Sequence, residues 1–137
     1  MDIIIPTNYR PHRLITTLSS LYLQNVGDSD RLVILDNSGE NIFRIKQIQK
    51  ILKAFETKGC VVDRIYSSER SISRIKKEAL EKAEQPIVAL VDNDILFSRP
   101  GTLSALENVL HRYDVACVSP LGYELDDEKP VLNEFAH

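Results

Sequence analysis

Two aspartates, Asp92 and Asp94, directly follow an apolar run from Ile87 to Val91. Carboxylates so close together repel each other unless a proton or a cation lies between them. A hard divalent cation takes oxygen ligands, and Mg²⁺-type sites typically combine one or two carboxylates with substrate phosphate. We therefore interpret Asp92 and Asp94 as ligands of a metal–phosphate site. The alternative is an ordinary polar turn at the end of a strand.

The residues before the two aspartates carry most of this information. The run from Ile87 to Val91 shows no polar alternation, which is typical of a central parallel strand buried on both faces. Open α/β folds place their ligands at the carboxyl ends of such strands. A second Asp-x-Asp, Asp28-Ser29-Asp30, follows Gly27 in a polar turn, and we expect it to be a solvated loop.

Composition narrows the class of protein. A chain of 137 residues is long enough for one domain with a single core. A net charge of −3 argues against nucleic acid or an anionic membrane as a partner. The locally basic stretch Arg64–Lys77 is interpreted mostly as a solvated helix face. The sequence shows neither a signal peptide nor an apolar run of about 20 residues, so we expect a cytoplasmic protein without a transmembrane segment.

The two cysteines, Cys60 and Cys117, both lie in apolar, strand-like runs. We expect both to be buried, reduced thiols. The sequence contains no Cys/His cluster with the spacing of a metal site.

Apolar periodicity predicts alternating strands and helices. The first elements in chain order are strand Asp2–Thr7 stopped at Pro6, helix Arg10–Gln24, strand Arg31–Leu35, helix Asn41–Lys58 ended by Gly59, and strand Cys60–Tyr66. A helix capped by Ser67 or Ser68 follows, with Ile72, Ile75, Ala79, Leu80 and Ala83 pointing inward. The last elements are the strand ending at Asp92, a helix opened by Ser98–Pro100, and strand Asp114–Ser119.

This alternation implies right-handed crossovers and a three-layer α/β/α fold with a mainly parallel sheet. We expect one domain over residues 1–137, with an unassigned tail over 122–137. The carboxyl ends of parallel strands share one rim of the sheet. That rim would gather Thr7, Asn8, Tyr9, Asp36, Asn37, Ser67, Ser68, Asp92 and Asp94.

These side chains suit a nucleotide. Asp36 can accept a hydrogen bond from a base, Tyr9 can lie against a ring, and a helix beginning near Ser68 can offer N–H groups to phosphate. Structural alternatives remain for each of them. Asp36 is a good turn former, Tyr9 can simply cover the end of the sheet, and the serines are common helix caps.

Four segments of the chain together resemble the nucleotide-binding half of the family 2 glycosyltransferases, which have the GT-A fold. They are Ile3–Pro11, Leu32–Gly39, Ser71–Leu80 and Val88–Asp94. Their order and intervals match the family, and the resemblance covers about residues 2 to 119. It implies a GT-A-like, nucleotide-diphospho-sugar transferase-like fold.

The resemblance also implies roles for individual residues. Asp36 matches the aspartate that reads the base, and Asp92 matches a residue that contacts ribose or metal. Asp94 matches the ligand that holds Mn²⁺ or Mg²⁺ against the diphosphate. Lys76 falls near the phosphates. Thr7 and Tyr9 complete the expected nucleotide-sugar site.

The chain departs from the family pattern in ways that leave the base preference open. This chain has Asn8-Tyr9 where the family usually has Tyr-Asn, Asn37 where it has a second aspartate, and Lys77 where it has an asparagine. The resemblance also stops before the half that supplies the acceptor site and the catalytic base. Nothing aligns the acidic residues of the tail, or His137, with that base.

Three hypotheses follow. The first is a glycosyltransferase that binds a nucleotide-diphospho-sugar with a divalent metal and transfers the sugar, with inversion, to an unknown acceptor. The second is a non-catalytic nucleotide-binding or subunit-pairing module of the same fold. The third is a phosphatase of the haloacid dehalogenase type with Asp92 as nucleophile. An exposed sheet edge after Ser119 would suit a partner chain or a homo-oligomer.

Overall fold

The computed structural model describes residues 1–113, 115–120, 123–125 and 130–132, the last two segments and Ile72 by their backbone alone. The chain divides into two compact units, Met1–Gly101 and Thr102–His137. The expectation of one domain over residues 1–137 stays a prediction. No helix among the described residues is long and apolar enough to cross a membrane.

The first unit is built on a four-stranded parallel sheet. Its strands are β1 (Asp2–Thr7), β2 (Arg31–Asp36), β3 (Val61–Tyr66) and β4 (Val88–Leu90), in the spatial order β3-β2-β1-β4. The register pairs Thr7 of β1 with Asp36 of β2, and Asp36 with Tyr66 of β3. The predicted α/β class and parallel sheet are therefore confirmed.

The two inner strands, β1 and β2, are the most apolar ones. Ile3, Ile4 and Ile5 of β1 are fully buried, as is every residue from Leu32 to Leu35 in β2. Continuous apolar runs are what a strand needs when helices cover both faces of a parallel sheet. In the structure these two strands occupy the centre of the sheet.

Helices α1 (Pro11–Tyr22), α2 (Lys46–Thr57) and α3 (Ile72–Glu81) lie between the strands in the chain. On one face of the sheet, Ile75 and Ala79 of α3 pack in one cluster with Ile4, Val33 and Leu35. The alternate residues of β1 and β2 point to the other face, where α1 and α2 pack against each other. The Tyr22 and Phe55 rings meet edge to face there.

The strand before the two aspartates differs from its prediction. We expected a central strand buried on both faces. Instead β4 pairs with β1 alone and lies at the edge of the sheet that the described residues form. Leu90 is 39% exposed. An apolar run indicates a strand but carries no information about how many neighbours pair with it.

The segment expected to form a fifth strand is only partly described. Asp114 lies outside the described residues, and Val115–Pro120 form no strand. Cys117 is exposed in this segment, which corrects the expectation of a buried thiol. An apolar run becomes a strand only where a neighbour takes up its backbone hydrogen bonds.

The helix predicted over Asn41–Lys58 is interrupted. Ile42–Arg44 form a short 3₁₀ turn, Ile45 is extended, and α2 begins only at Lys46. The 3₁₀ turn buries Ile42 and Phe43, and the Phe43 ring packs edge to face against Tyr66. This packing competes with a continuous helix, and apolar spacing alone does not reveal it. Gly59 ends the helical region with φ +92°, as predicted.

The start of α3 is also corrected. Neither Ser67 nor Ser68 caps it, since the helix begins at Ile72 and the N-cap residue is Ser71. The Ser67 hydroxyl instead donates to Glu78 and accepts from the Glu69 N–H. Leu80, expected to point inward, is 50% exposed.

The second unit contains helix α4 (Thr102–Tyr113) and an antiparallel pair, β5 (Tyr123–Leu125) and β6 (Pro130–Leu132). The helix predicted to open at Ser98–Pro100 therefore begins slightly later. The pair of strands falls within the tail that the sequence left unassigned. The acidic residues Asp126, Asp127, Glu128 and Glu134, and His137, lie outside the described residues.

In the loop Asp28–Asp30, Asp28 and Ser29 are exposed as predicted, whereas Asp30 is largely covered. Asp30 pairs with the amino group of Met1 at 2.9 Å and accepts from the Gly27 N–H at 3.0 Å. Its side chain is only 12% exposed. The Cβ of any residue replacing Gly59 would lie 2.5 Å from the Asp28 carboxylate and 3.3 Å from the Asp28 Cα. This loop and Gly59 are therefore closely packed.

Gly59→Ala is expected to lower the free energy of unfolding by roughly 2–3 kcal/mol, because it combines a positive φ with crowding against Asp28. Gly39→Ala is the matched control, since Gly39 also has a positive φ but open space around it, and about 1 kcal/mol is expected there. Urea unfolding of both variants measures the difference. Equal losses would contradict the crowding argument.

The two thiols should differ sharply in reactivity. Burial raises the pKa of the Cys60 thiol from 9.0 to about 11, whereas Cys117 is exposed. Ellman's reagent at pH 8 should modify one thiol rapidly in the native protein and none in Cys117→Ser. Because the folded pKa of Cys60 is raised, its contribution to stability is complete below pH 9 and is lost as the pH rises towards 11. Rapid modification of Cys60 at pH 8 would contradict its burial.

Candidate functional site

The carboxyl ends of β1, β2 and β4 are joined by short hydrogen bonds. The Thr7 carbonyl accepts from the Asn37 N–H at 3.0 Å. The Thr7 hydroxyl accepts from the Asn93 side-chain amide at 2.8 Å. Thr7 is 2% exposed. It is therefore a buried connection between the turn after β2 and the turn that carries the two aspartates.

A cleft of about 460 Å³ opens at this rim. A turn from Asp92 to Ile95, closed by the Ile95 N–H on the Asp92 carbonyl, carries both aspartates to it. Five of the six residues predicted for the site lie along the cleft, namely Thr7, Tyr9, Lys76, Asp92 and Asp94. They come from β1, α3 and the turn after β4, so the fold brings together residues that are far apart in sequence.

The sixth residue, Asp36, lies beneath the rim rather than along the cleft. It is 1% exposed, and its Oδ1 accepts from the Ser38 N–H at 3.1 Å. Its Oδ2 is buried with no hydrogen-bond partner among the described residues, and the same holds for Oδ1 of Asn37. Buried acceptors without partners are costly, so the end of β2 offers two unused acceptors beside the cleft.

Each of the two aspartates is paired with a cation from a helix. Lys76 Nζ of α3 lies 2.8 Å from Asp92 Oδ1, and Arg13 Nη1 of α1 lies 2.9 Å from Asp94 Oδ2. The Asp92 side chain is 51% exposed and that of Asp94 is 42% exposed. The two cations therefore relieve the repulsion between Asp92 and Asp94, a role that we had assigned to a metal from the sequence.

The donor set nevertheless fits a divalent cation bound together with a phosphorylated ligand. Asp92 and Asp94 supply carboxylate oxygens at an open cleft, and Mg²⁺-type sites commonly take their other ligands from phosphate and water. In the part of the chain that the structure describes, no three His, Cys, Asp or Glu side chains cluster as a metal cage would require. The protein alone therefore supplies only part of a coordination shell.

Tyr9 has an unusual backbone. Its φ is +31°, in a region that residues other than glycine rarely adopt, and its side chain is 45% exposed at the cleft. A hydrogen bond to the Glu40 carboxylate, together with the negative charge of that group, raises the pKa of the Tyr9 phenol. Glu40 thus links Tyr9 to the segment after β2.

Two arginines of the cleft were not identified from the sequence. Arg10 and Arg70 both line it, and neither guanidinium has an acidic partner among the described residues. Arg70 belongs to the basic stretch that was interpreted as a solvated helix face, but it lies in the loop before α3. Arg13 was also missed, since its pairing with Asp94 depends on tertiary structure. Ser67 and Ser68 are not part of the cleft lining.

Comparison with solved structures shows the same architecture in glycosyltransferases. The mannosyltransferase PcManGT from Pyrobaculum calidifontis, in complex with GDP-Man and Mn²⁺, matches with a TM-score of 0.70 at 19% identity, over 87% of this chain and 35% of that one. S. aureus TarS 1–349 matches with a TM-score of 0.59 at 18% identity, over 90% and 39%. Its complex with UDP matches with a TM-score of 0.57 at 20% identity, over 82% and 32%.

The likeness is one of fold. This chain has the α/β, GT-A-like architecture of those glycosyltransferases, which confirms the expected fold. It spans between about a third and two fifths of their length. No family model and no curated protein sequence matches the chain.

Glu40→Gln should lower the pKa of the Tyr9 phenol, because both the hydrogen-bonded partner and its negative charge are removed. NMR of protein labelled at its tyrosine rings, titrated through the alkaline range, measures this pKa. Glu81→Gln is the control, because Glu81 pairs with Lys77 at the surface, away from the cleft lining. An unchanged Tyr9 pKa in Glu40→Gln would contradict the contact.

Proposed function

We propose that this chain is the nucleotide-sugar-binding part of a glycosyltransferase, which holds a nucleotide-diphospho-sugar together with Mn²⁺ or Mg²⁺. The observation that carries the proposal is the cleft where Asp92, Asp94 and Lys76 meet the end of β1. The fold shared with glycosyltransferases supports it. The neighbours' complexes with GDP-Man and Mn²⁺, and with UDP, indicate the kind of ligand to test.

The nucleoside half of the ligand would lie towards β2. Asn37 lines the cleft, and Asp36 lies just beneath it; each has a buried acceptor oxygen that a base or ribose donor can use once the side chains at the rim turn to expose it. The exposed ring of Tyr9 stands at the same cleft and can lie against the base.

The diphosphate would lie between the two aspartates and the basic side chains. Lys76, Arg10 and Arg70 line the cleft and can donate to phosphate oxygens. Asp92 and Asp94 would hold the divalent cation, which when bound stabilises the negative charge of the departing nucleoside diphosphate. Lys76 and the two arginines stabilise the same charge directly.

Sugar transfer itself requires an acceptor site and a general base. Neither is assigned in this chain, and the solved glycosyltransferases that it resembles are much longer. We infer inverting transfer by direct displacement, with the base supplied by residues outside the cleft described here. The acceptor is not identified.

A second candidate is a non-catalytic module that binds the nucleotide through the same cleft. It is favoured by the two ion pairs, which balance the charges of Asp92 and Asp94 without a metal. Nucleoside diphosphate release from a nucleotide-sugar distinguishes the two candidates, because only an enzyme produces it. Turnover of a generic phosphomonoester would instead support a phosphatase.

The binding proposal predicts metal-dependent stabilisation by nucleotide. UDP-, GDP- and dTDP-sugars are titrated with and without Mn²⁺, and thermal unfolding is followed. At a hundredfold excess over its Kd, the preferred ligand should stabilise the native state by about 2.7 kcal/mol. Asp94→Ala should lose the part of this stabilisation that depends on Mn²⁺. The variant should keep its fold, because exposed ion pairs contribute only about 0–1 kcal/mol to stability.

Glu81→Ala is the matched control, since it removes an exposed carboxylate of α3 whose partner is Lys77. It should respond to nucleotide and Mn²⁺ as the unmodified protein does. Mn²⁺-dependent binding that survives in Asp94→Ala would refute the assigned metal ligand. A wild-type protein that responds to none of the nucleotides, with metal present, would refute the proposed function.

A further inference from the structure

Arg13 and Lys76 each hold one of the two aspartates of the cleft. We propose that they are resident counter-cations of the Asp92–Asp94 pair, which keep a divalent cation out until a diphosphate draws Lys76 away. The role of the diphosphate rests on the proposed function above. The role of the two cations towards metal does not, because it concerns the protein without nucleotide.

Both ion pairs join the turn that carries the two aspartates to a helix. Both are close contacts between separate elements, at 2.8 Å for Lys76–Asp92 and 2.9 Å for Arg13–Asp94. The pair Lys77–Glu81, by contrast, lies within one turn of α3 at 3.7 Å. The two cations reach the cleft from helices that flank opposite faces of the sheet. Each cation therefore holds its own carboxylate, and the two approach the turn after β4 from opposite sides of the sheet.

Charge balance gives the consequence for a metal. Asp92 and Asp94 together carry two negative charges, and Lys76 and Arg13 neutralise both. A divalent cation approaching the nucleotide-free cleft would meet no net attraction from these four groups, because the Lys76 ammonium and the Arg13 guanidinium offset the two carboxylates. Metal binding to the protein alone should therefore be weak.

A diphosphate changes this balance. Lys76 lines the cleft, has a flexible stem and is about one-third exposed, so it can turn from Asp92 to a phosphate oxygen at little cost. Asp92 is then free to ligate the metal, and the phosphates add oxygen ligands of their own. Metal and nucleotide binding are thereby coupled, and each must strengthen the other by the same factor.

Lys76 and Arg13 are positioning residues for the two aspartates in the nucleotide-free protein. A merely structural role predicts that replacing them leaves metal affinity unchanged or weakens it. The counter-cation role predicts the opposite sign. Replacing either side chain by a neutral one of similar length should make metal binding tighter.

The test is Mn²⁺ titration of the nucleotide-free protein, with free Mn²⁺ measured by electron paramagnetic resonance. Lys76→Met and Arg13→Met should each bind Mn²⁺ about tenfold more tightly than wild type, on the order expected for removing one nearby charge at the protein surface. Lys77→Met is the matched control, because it removes a charge from the adjacent position of α3 without touching the cleft, and it should stay within about twofold of wild type.

A second arm shows that the effect passes through Asp92. In an Asp92→Asn background, Lys76→Met should tighten Mn²⁺ binding clearly less than it does in the wild-type background, because the ion pair that Lys76 makes is absent there. Far-ultraviolet circular dichroism and thermal midpoints confirm that each variant is folded. Unchanged or weaker Mn²⁺ binding by both Lys76→Met and Arg13→Met overturns the inference, as does the absence of Mn²⁺ binding by every variant up to millimolar concentration.

A third arm adds UDP or GDP to the wild type and to Lys76→Met. The nucleotide should strengthen Mn²⁺ binding more in the wild type, because Lys76 has then been drawn away from Asp92. Equal strengthening overturns the exchange step. If neither nucleotide binds while the first arm shows tighter Mn²⁺ binding, the proposed function fails and the counter-cation role stands, so the two failures are distinguishable.

Discussion

The pairing of β1 with β2 on one side and β4 on the other is the constraint on which the site depends. The parallel register brings the ends of these strands to one rim, where Thr7 binds the turn after β2 through its carbonyl and the turn after β4 through its hydroxyl. The apolar faces of β1 and β2 are buried between α3 and the pair α1 and α2, so the sheet cannot shift its register without exposing its core. The positions of the cleft residues follow from that register.

The two aspartates at the rim are neutralised within the protein, and the cleft carries further positive charge. Asp92 and Asp94 are each satisfied by one cation, while Arg10 and Arg70 stay without acidic partners among the described residues. At the end of β2 the opposite situation holds, because Asp36 and Asn37 keep buried acceptors that no described protein group uses. The cleft thus combines free donors on its basic side with free acceptors beneath its other side. This division suits a ligand with a diphosphate and a hydrogen-bonding base, as in a nucleotide-sugar.

The comparisons bear on how much of an enzyme this chain represents. The glycosyltransferases of the same fold are between about two and a half and three times longer than the stretch that matches, as their covered shares of 32–39% imply. Their acceptor sites and bases are therefore not transferred to this chain. A fold shared at about 19% identity shows a common architecture, whereas the chemistry of a site depends on individual side chains. The case for nucleotide-sugar binding accordingly rests on the cleft residues themselves.

Apolar periodicity and polar residues at strand ends are local signals, and from them the sequence alone determined the order of strands and helices up to α4, the parallel sheet, and the candidate positions Thr7, Tyr9, Asp36, Asp92 and Asp94. Lys76 was predicted only through the resemblance to a known family. Tertiary structure decided the rest. It placed β4 at the edge of the described sheet, interrupted the helix before Lys46, moved the start of α3 to Ile72, and paired Arg13 with Asp94. Each of these features depends on which residues distant in sequence become neighbours in space. Local patterns of residue types do not predict such long-range contacts. The partners of a side chain, unlike its position along a strand or helix, are set only when the elements pack.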